Sequence, residues 1–399
     1  MDSATLLARI TDYANRPDPF PLYAELREAG PVVRQADGSY LVGGYHEIAA
    51  LLHDPRMSAD PRSRLTPSAP EETRKPPFLR LDDPEHQRLR DSAMRPFGPP
   101  HSPDRIDALR GDIARLTEEL AEAFRPGRRI DLVDDFAYPL PVTVICRLLG
   151  VPHEDEPLLQ TWTDAIVASA DIGPGGDTAE RDRTGRRARQ EMGAYLIGLA
   201  EQRRDNPTGD MLSGFVSEPD PALRLTTEEL AETTVLLFIA GHETTVNLIT
   251  NGVLTLLRRP DQLDLLRREP GLLPRAVEEL LRYEPPVHMR ERIPLADLDV
   301  AGTTIPRGTS VILALASGSR DPKRFHEPDR FDPTRPDNEH FGFGSGIHLC
   351  YGAPLARIEA EAALAALLPH LGSAHLVEDP PPYRQNAMLR GPRHLPVQL

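Results

Sequence analysis

Of the two cysteines in this 399-residue chain, Cys146 and Cys350, one sits in a segment built for chemistry. Two thiols so far apart form neither a disulfide framework nor a zinc site. Each is therefore an inert buried thiol, a nucleophile or a single-thiolate metal ligand. Cys350 lies in Phe341-Gly342-Phe343-Gly344-Ser345-Gly346-Ile347-His348-Leu349-Cys350-Tyr351-Gly352-Ala353-Pro354. Its glycines let a backbone approach a flat partner closely and take φ angles that other residues avoid. A helix is predicted from about Ala353, with Pro354 in its first turn. Cys350 then sits just before a helix N-terminus, where the dipole and free N–H groups favour thiolate over thiol. Composition alone leaves a glycine-rich turn around a buried cysteine equally open. A phosphate-cradling loop is a third reading, but no Gly-Lys-Ser/Thr follows.

A second polar group interrupts an apolar stretch at Ala240-Gly241-His242-Glu243-Thr244-Thr245. A glycine inside a helix costs about 1 kcal/mol relative to alanine. A buried carboxylate is costly unless paired, so this cluster marks a functional or strained position unless its polar face meets solvent.

The pattern Phe343-x-x-Gly346-x-His348-x-Cys350-x-Gly352 resembles the haem-binding signature of the cytochrome P450 superfamily, and the match continues through Ala353-Pro354-Leu355-Ala356-Arg357. The resemblance implies Cys350 as proximal iron ligand, with Phe343 shielding the sulfur, His348 on a haem propionate and Gly352 in the cofactor-binding set. Thiolate ligation pushes electron density toward O–O cleavage. The segment at Glu243-Thr244 resembles the family's acid–threonine pair, which implies that these two residues pass on the protons of oxygen activation. His242 is a neighbour of that pair and not a ligand.

The same resemblance gives roles to residues that would otherwise read as ordinary surface pairs. His86 and Arg90, at i and i+4, point at one target and are expected on the propionates. Arg292 is expected to join them, with Arg290 as the competing choice. Glu279 and Arg282 are expected to form a structural lock with a later arginine, Arg330. Arg88, Arg95 and Arg357 are expected to offer local positive charge for an electron donor.

These groups need elements to hold them. Thr226 and Glu229 read as a capping box, and Pro260 is a stop signal, so one long helix is predicted from about Thr226 to Arg259. Helical periodicity also covers 104–125, 181–204, 261–268, 274–283 and 354–368. Extended segments are expected at 30–43 and at 298–315, with a turn at Pro306-Arg307-Gly308. Proline clusters mark loops at 59–78, 96–103, 153–157 and 218–221, and Gly173–Gly176 reads as a joint. The fold class is mainly α with small β-sheets. By resemblance it is the cytochrome P450 fold, a triangular prism with a long central helix over the haem, and residues 1–399 are one domain.

The formal net charge of −15 and pI near 5.4 argue against a nucleic-acid partner. All basic residues but Lys75 and Lys323 are arginine, which reflects coding bias more than function. No segment has the apolar length of a signal peptide or a membrane span, so a cytoplasmic protein is expected. Cys146 is expected to be a buried, unreactive thiol. The resemblance implies haem b (iron protoporphyrin IX) as cofactor and O₂ and a small, largely apolar organic molecule as substrates. Electrons are expected from a separate ferredoxin and ferredoxin reductase. Ring closure, desaturation or oxidative coupling would use the same machinery. A non-catalytic haem sensor is disfavoured because it needs no Glu243 and Thr244. Pocket residues are expected from 62–80, Ala168–Gly176, Phe238, Ala240, Val287–Met289 and Asn386–Met388.

Overall fold

The central helix runs from Thr227 to Leu257. The Thr226 hydroxyl accepts from the Glu229 amide while the Glu229 carboxylate accepts from the Thr226 amide, so the predicted capping box is present. Pro260 opens the next helix, Pro260–Arg268, because its ring suits a first turn and cannot continue a preceding one. The helix is thus a rod of roughly 45 Å. The computed structural model describes residues 5–65, 76–98, 102–169 and 178–399.

The helices Pro139–Leu149, Thr178–Asp205, Leu273–Tyr283 and Ala353–Leu367 all pack on the central helix. Together they bury one large apolar cluster that includes Phe136, Leu196, Phe238, Val253, Leu280 and Leu364. Cys146 is fully buried in Pro139–Leu149, where burial pushes its thiol well up, as expected of an inert cysteine. The predicted helix at 104–125 appears as Pro103–Ala121. It stops early because Pro126 disfavours a helical Arg125. The proline-rich segment at 153–157 is not a loop. It forms a short 3₁₀ turn, His153–Asp155, and then the helix Glu156–Ser169, with Pro157 in the first turn.

The extended segments assemble into a five-stranded sheet in the order Val33–Arg34, Tyr40–Val42, Val311–Leu313, Arg290–Pro294, Met57–Ser58. Tyr40–Val42 runs parallel to Val311–Leu313, and the other neighbours are antiparallel. The turn that makes a hairpin within 298–315 lies at Ala301 and Gly302, both at positive φ, as a two-residue hairpin loop requires. Strand Arg290–Pro294 pairs Arg290 with Leu313 and Arg292 with Val311. The two arginines therefore share one face of the sheet, with Glu291 on the other. None of the helices in the described residues is long and apolar enough to cross a membrane.

Candidate active site

The Cys350 loop is closed by its own backbone. The Cys350 amide donates to the Phe343 carbonyl at 2.9 Å, Gly344 to Phe341 at 2.8 Å and Leu349 to Gly346 at 3.0 Å. Gly344 and Gly346 have φ near +70°, a region that costs other residues about 1–2 kcal/mol. Gly342 is needed for space, because a Cβ there would lie 2.7 Å from the Leu281 carbonyl. Gly352 caps the helix Ala353–Leu367, with Pro354 in its first turn. The amides of Gly352 and Ala353 donate to the Cys350 sulfur. Burial nevertheless pushes the thiol up, and these amides with the charges of Arg90 and Arg290 do not overcome it. The amides at the helix end thus act in the direction the sequence implies, favouring the thiolate. A cation bound to the sulfur would favour it further.

Beside the thiol lies a cluster of cationic and unpaired groups. The rings of His86 and His348 are 4.3 Å apart. His86 Nδ1 meets Asp83 at 3.1 Å, while His86 Nε2 and both ring nitrogens of His348 are buried without a partner. Arg90 donates to the Leu349 carbonyl at 2.8 Å. Arg290 and Arg292 both reach this cavity from their shared strand face, and Arg292 donates only to the Glu291 carbonyl, at 2.8 Å. Burial, and then the charge of Arg290, bring the Arg292 guanidinium down to about 10. Burial, with the charges of Arg292, His86, Arg90 and Arg290, brings His348 down to about 3. Among the described residues Asp83 pairs with His86, but no acid forms an ion pair with Arg90, Arg290, Arg292 or His348. Buried donors in such surplus fit an anionic ligand with carboxylate groups.

Cys350, Phe343, His348, Gly352, Arg90, Arg290, Arg292 and Thr244 line one cavity of about 1210 Å³. Phe343 is held under the Arg357 guanidinium, 4.6 Å from its ring centre. Thr244 donates to the Ala240 carbonyl at 3.0 Å. Glu243, one residue and about 100° round the helix, does not line the cavity. It is 1 % exposed and faces Arg384 at 3.3 Å. His242 is also turned away, its Nδ1 on the Phe238 carbonyl at 3.0 Å, in keeping with its reading as a neighbour.

The expected pocket residues divide. Arg64, Leu65, Phe78, Leu79, Arg80, Ala240, Val287, Met289 and Met388 line the cavity. Phe238 is fully buried in the core and does not, and Asn386 is spent on the Met388 and Leu389 amides. Residues 66–75 and 170–177 of the expected segments lie outside those described. Leu236, Leu237 and Leu248 also line it. Helical spacing with Ala240 and Thr244 could have found Leu236, Leu237 and Leu248.

Two expectations about arginines are corrected. The arginine that closes on Glu279 is Arg335, with Nε 3.2 Å from Oε2, and Glu279 and Arg282 are completely buried and joined twice at 2.8 Å. Arg330 gives this network only its carbonyl, accepting from Arg282 at 3.1 Å, while its side chain lies outside on Glu327. The turn Asp332–Arg335 explains the choice: the Asp332 amide donates to Glu279 at 2.8 Å and brings Arg335 alongside. Arg88, Arg95 and Arg357 are not free charges either. They pair with Glu229, Glu218 and Glu278 in turn, so a positive docking patch built on them is neutralised.

The cytochrome P450 family model matches residues 24–398. The chain is 41% identical to the cytochrome P450 monooxygenase PikC of Streptomyces venezuelae, over 96% of this chain and 91% of that one. It is 36% identical to 6-deoxyerythronolide B hydroxylase of Saccharopolyspora erythraea, over 96% of each. The structure of CYP164A2 from Mycobacterium smegmatis superposes with a TM-score of 0.89 at 36% identity, covering 99% of both chains. The family's cofactor is a haem, and the residues here suit one: a thiol exposed to the cavity, beside unpartnered buried donors suited to carboxylates. With that fold, that loop and these relatives, the chain belongs to the cytochrome P450 family and is a haem-thiolate monooxygenase.

Proposed function

We propose that this protein holds one haem b and inserts one oxygen atom from O₂ into a largely apolar secondary metabolite of moderate size, by hydroxylation or epoxidation. Electrons would come from a ferredoxin and its reductase in the cytoplasm, and residues 1–399 would act as one domain. The observation that carries this reading is that Cys350 and Thr244, on separate elements, line one cavity. The apolar side chains Leu236, Leu237, Leu248, Val287 and Met289 in the same wall suit an apolar substrate. A relative that hydroxylates 6-deoxyerythronolide B is consistent with that class.

Bound there, the haem supplies reductive activation of dioxygen. The chain supplies the rest. Cys350 gives the sulfur ligand, and the Gly352 and Ala353 amides temper its donor strength. His86, Arg90, Arg290, Arg292 and His348 hold the propionates, so both strand arginines belong to this set. The Thr244 hydroxyl can leave the Ala240 carbonyl and donate into the cavity. Glu243 collects protons on the far side of the helix and passes them to Thr244 after turning its side chain. The test is spectroscopic. The reduced protein under carbon monoxide should show the red-shifted Soret band of thiolate ligation, and Cys350→Ala should abolish it. A band that survives the substitution would overturn the reading.

A further inference from the structure

A single carboxylate ties the chain entering the Cys350 loop to the helix leaving it. Glu278 lies on helix Leu273–Tyr283, beside the buried Glu279 in sequence but about 100° round the helix from it. It accepts from Arg357 twice, Nε to Oε1 at 2.6 Å and Nη2 to Oε2 at 3.0 Å. His340 Nε2 meets the same Oε2 at 3.2 Å. The other ring nitrogen fixes the tautomer. The Gly342 amide donates to His340 Nδ1 at 3.0 Å, so Nδ1 is the acceptor and Nε2 carries the proton donated to Glu278. One acid thus holds the loop's entry through His340 and helix Ala353–Leu367 through Arg357.

Phe343 lies between these two arms. The Arg357 guanidinium sits over its ring at 4.6 Å, and the His340 ring centre is 6.2 Å away. The Phe343 carbonyl takes the Cys350 amide at 2.9 Å. Every link from Glu278 to Cys350 is therefore a hydrogen bond or a ring contact. Both members of the ion pair stay charged. Burial would raise Glu278, but the bonds from His340 and Arg357 hold it down at about 2. Glu278 in turn raises Arg357, and the charge of Cys350 adds to that effect. A guanidinium held by two parallel bonds and by an aromatic face keeps a fixed place.

We infer that Arg357 and Glu278 set the reduction potential of the bound iron as an opposed pair: Arg357 holds a positive charge over Phe343, on the loop that carries the sulfur, and Glu278 fixes that charge and partly offsets it. This rests on the proposed ligation by Cys350. Reduction adds one electron at the metal, so a nearby cation favours the reduced state and a nearby anion the oxidised one. Both are positioning residues, acting through the Phe343 and Cys350 backbone and through the field at the loop, without touching substrate. The opposed signs are what distinguish this role from a plain clamp.

The test is spectroelectrochemical, on the haem-loaded protein at fixed pH and ionic strength. It compares wild type with Arg357→Gln, Glu278→Gln, the double variant and Arg357→Lys. Arg357→Gln should lower the midpoint potential, Glu278→Gln should raise it, and the double variant should return close to wild type. Arg357→Lys keeps the charge and should recover most of the loss. A clamp with no electrostatic role would move both single variants the same way, because either substitution breaks the same bonds. Shifts of one sign, or no shift in either, would overturn the inference while the carbon-monoxide spectrum still reports thiolate ligation. If that spectrum is absent from wild type or survives Cys350→Ala, the ligation itself fails and the inference falls with it. Should Glu278→Gln not fold, the two Arg357 variants decide: equal shifts in the glutamine and lysine forms refute the role of the charge.

Discussion

The rings of His86 and His348 meet with centres 4.3 Å apart, tilted at 53°, while three of their buried nitrogens remain unpartnered. Unpartnered nitrogens beside buried arginines would suit the carboxylates of a bound group. The haem-free protein should reveal the cost. Burial and the surrounding cations bring His348 from an ordinary 6.5 down to about 3. The unfolded chain therefore takes up a proton that the folded chain refuses, starting near pH 6.5, and stability falls as pH drops from there toward 3. Melting temperatures of the haem-free protein should decline between pH 7.5 and 5.5, and His348→Gln should flatten that decline. His242 and His288 are also lowered by burial, so the difference between wild type and variant is what counts. Equal slopes would show that His348 is not held in this state.

The buried network at Glu279 separates two arginines five residues apart. Arg335 reaches the fully buried carboxylate as a second cation beside Arg282, so its loss removes charge-assisted hydrogen bonds but leaves the Glu279–Arg282 pair, at a cost of about 1.5–3 kcal/mol. Arg330 is exposed and gives the network only its backbone carbonyl, which a side-chain truncation keeps. Arg335→Ala should lower the denaturation midpoint sharply and weaken haem retention. Arg330→Ala should stay within about 0.5 kcal/mol of wild type. The reverse order in a urea titration would restore the sequence-based assignment.

The glycines of the thiolate loop can be ranked by what surrounds them. Gly344 and Gly346 share a positive φ, but a Cβ on Gly344 would meet only the His348 carbonyl at 3.8 Å, whereas one on Gly346 would come 2.3 Å from the Leu52 carbonyl. Gly344→Ala should therefore cost about 1–2 kcal/mol of strain and still bind haem. Gly346→Ala must move backbone and should be the more damaging. The ratio of haem absorbance to protein absorbance after purification reads this directly, and comparable haem loss in both would show that φ alone matters.

Much of this site is legible in sequence because its signals are local. Glycine spacing, a proline in a first turn and the Thr226–Glu229 box each act within a few residues, and each appears where the chain predicts it. The errors lie where long-range packing decides. Which arginine meets Glu279 depends on a turn at Asp332–Arg335 that brings the chain back over a helix more than fifty positions earlier. The ion pairs that neutralise Arg88, Arg95 and Arg357 join distant helices, or strands of chain that periodicity cannot relate.

The direction of the Thr244 side chain yields the sharpest catalytic prediction. Its hydroxyl is bonded to the Ala240 carbonyl at 3.0 Å and faces the cavity that Cys350 also lines, so the donor is present before substrate arrives and needs only a small rotation to be used. Thr244→Ala removes that donor without opening the core, since the position borders a cavity. Substrate affinity and the carbon-monoxide spectrum should thus be nearly unchanged. What should change is the fate of the electrons. Protons no longer reach their target in order, so product per NAD(P)H consumed should fall several-fold and hydrogen peroxide should rise to match. Thr244→Ser keeps the hydroxyl and should keep most of the coupling, which separates proton handling from simple loss of a methyl group. Alanine and serine variants that both couple as well as wild type would remove Thr244 from the reaction altogether.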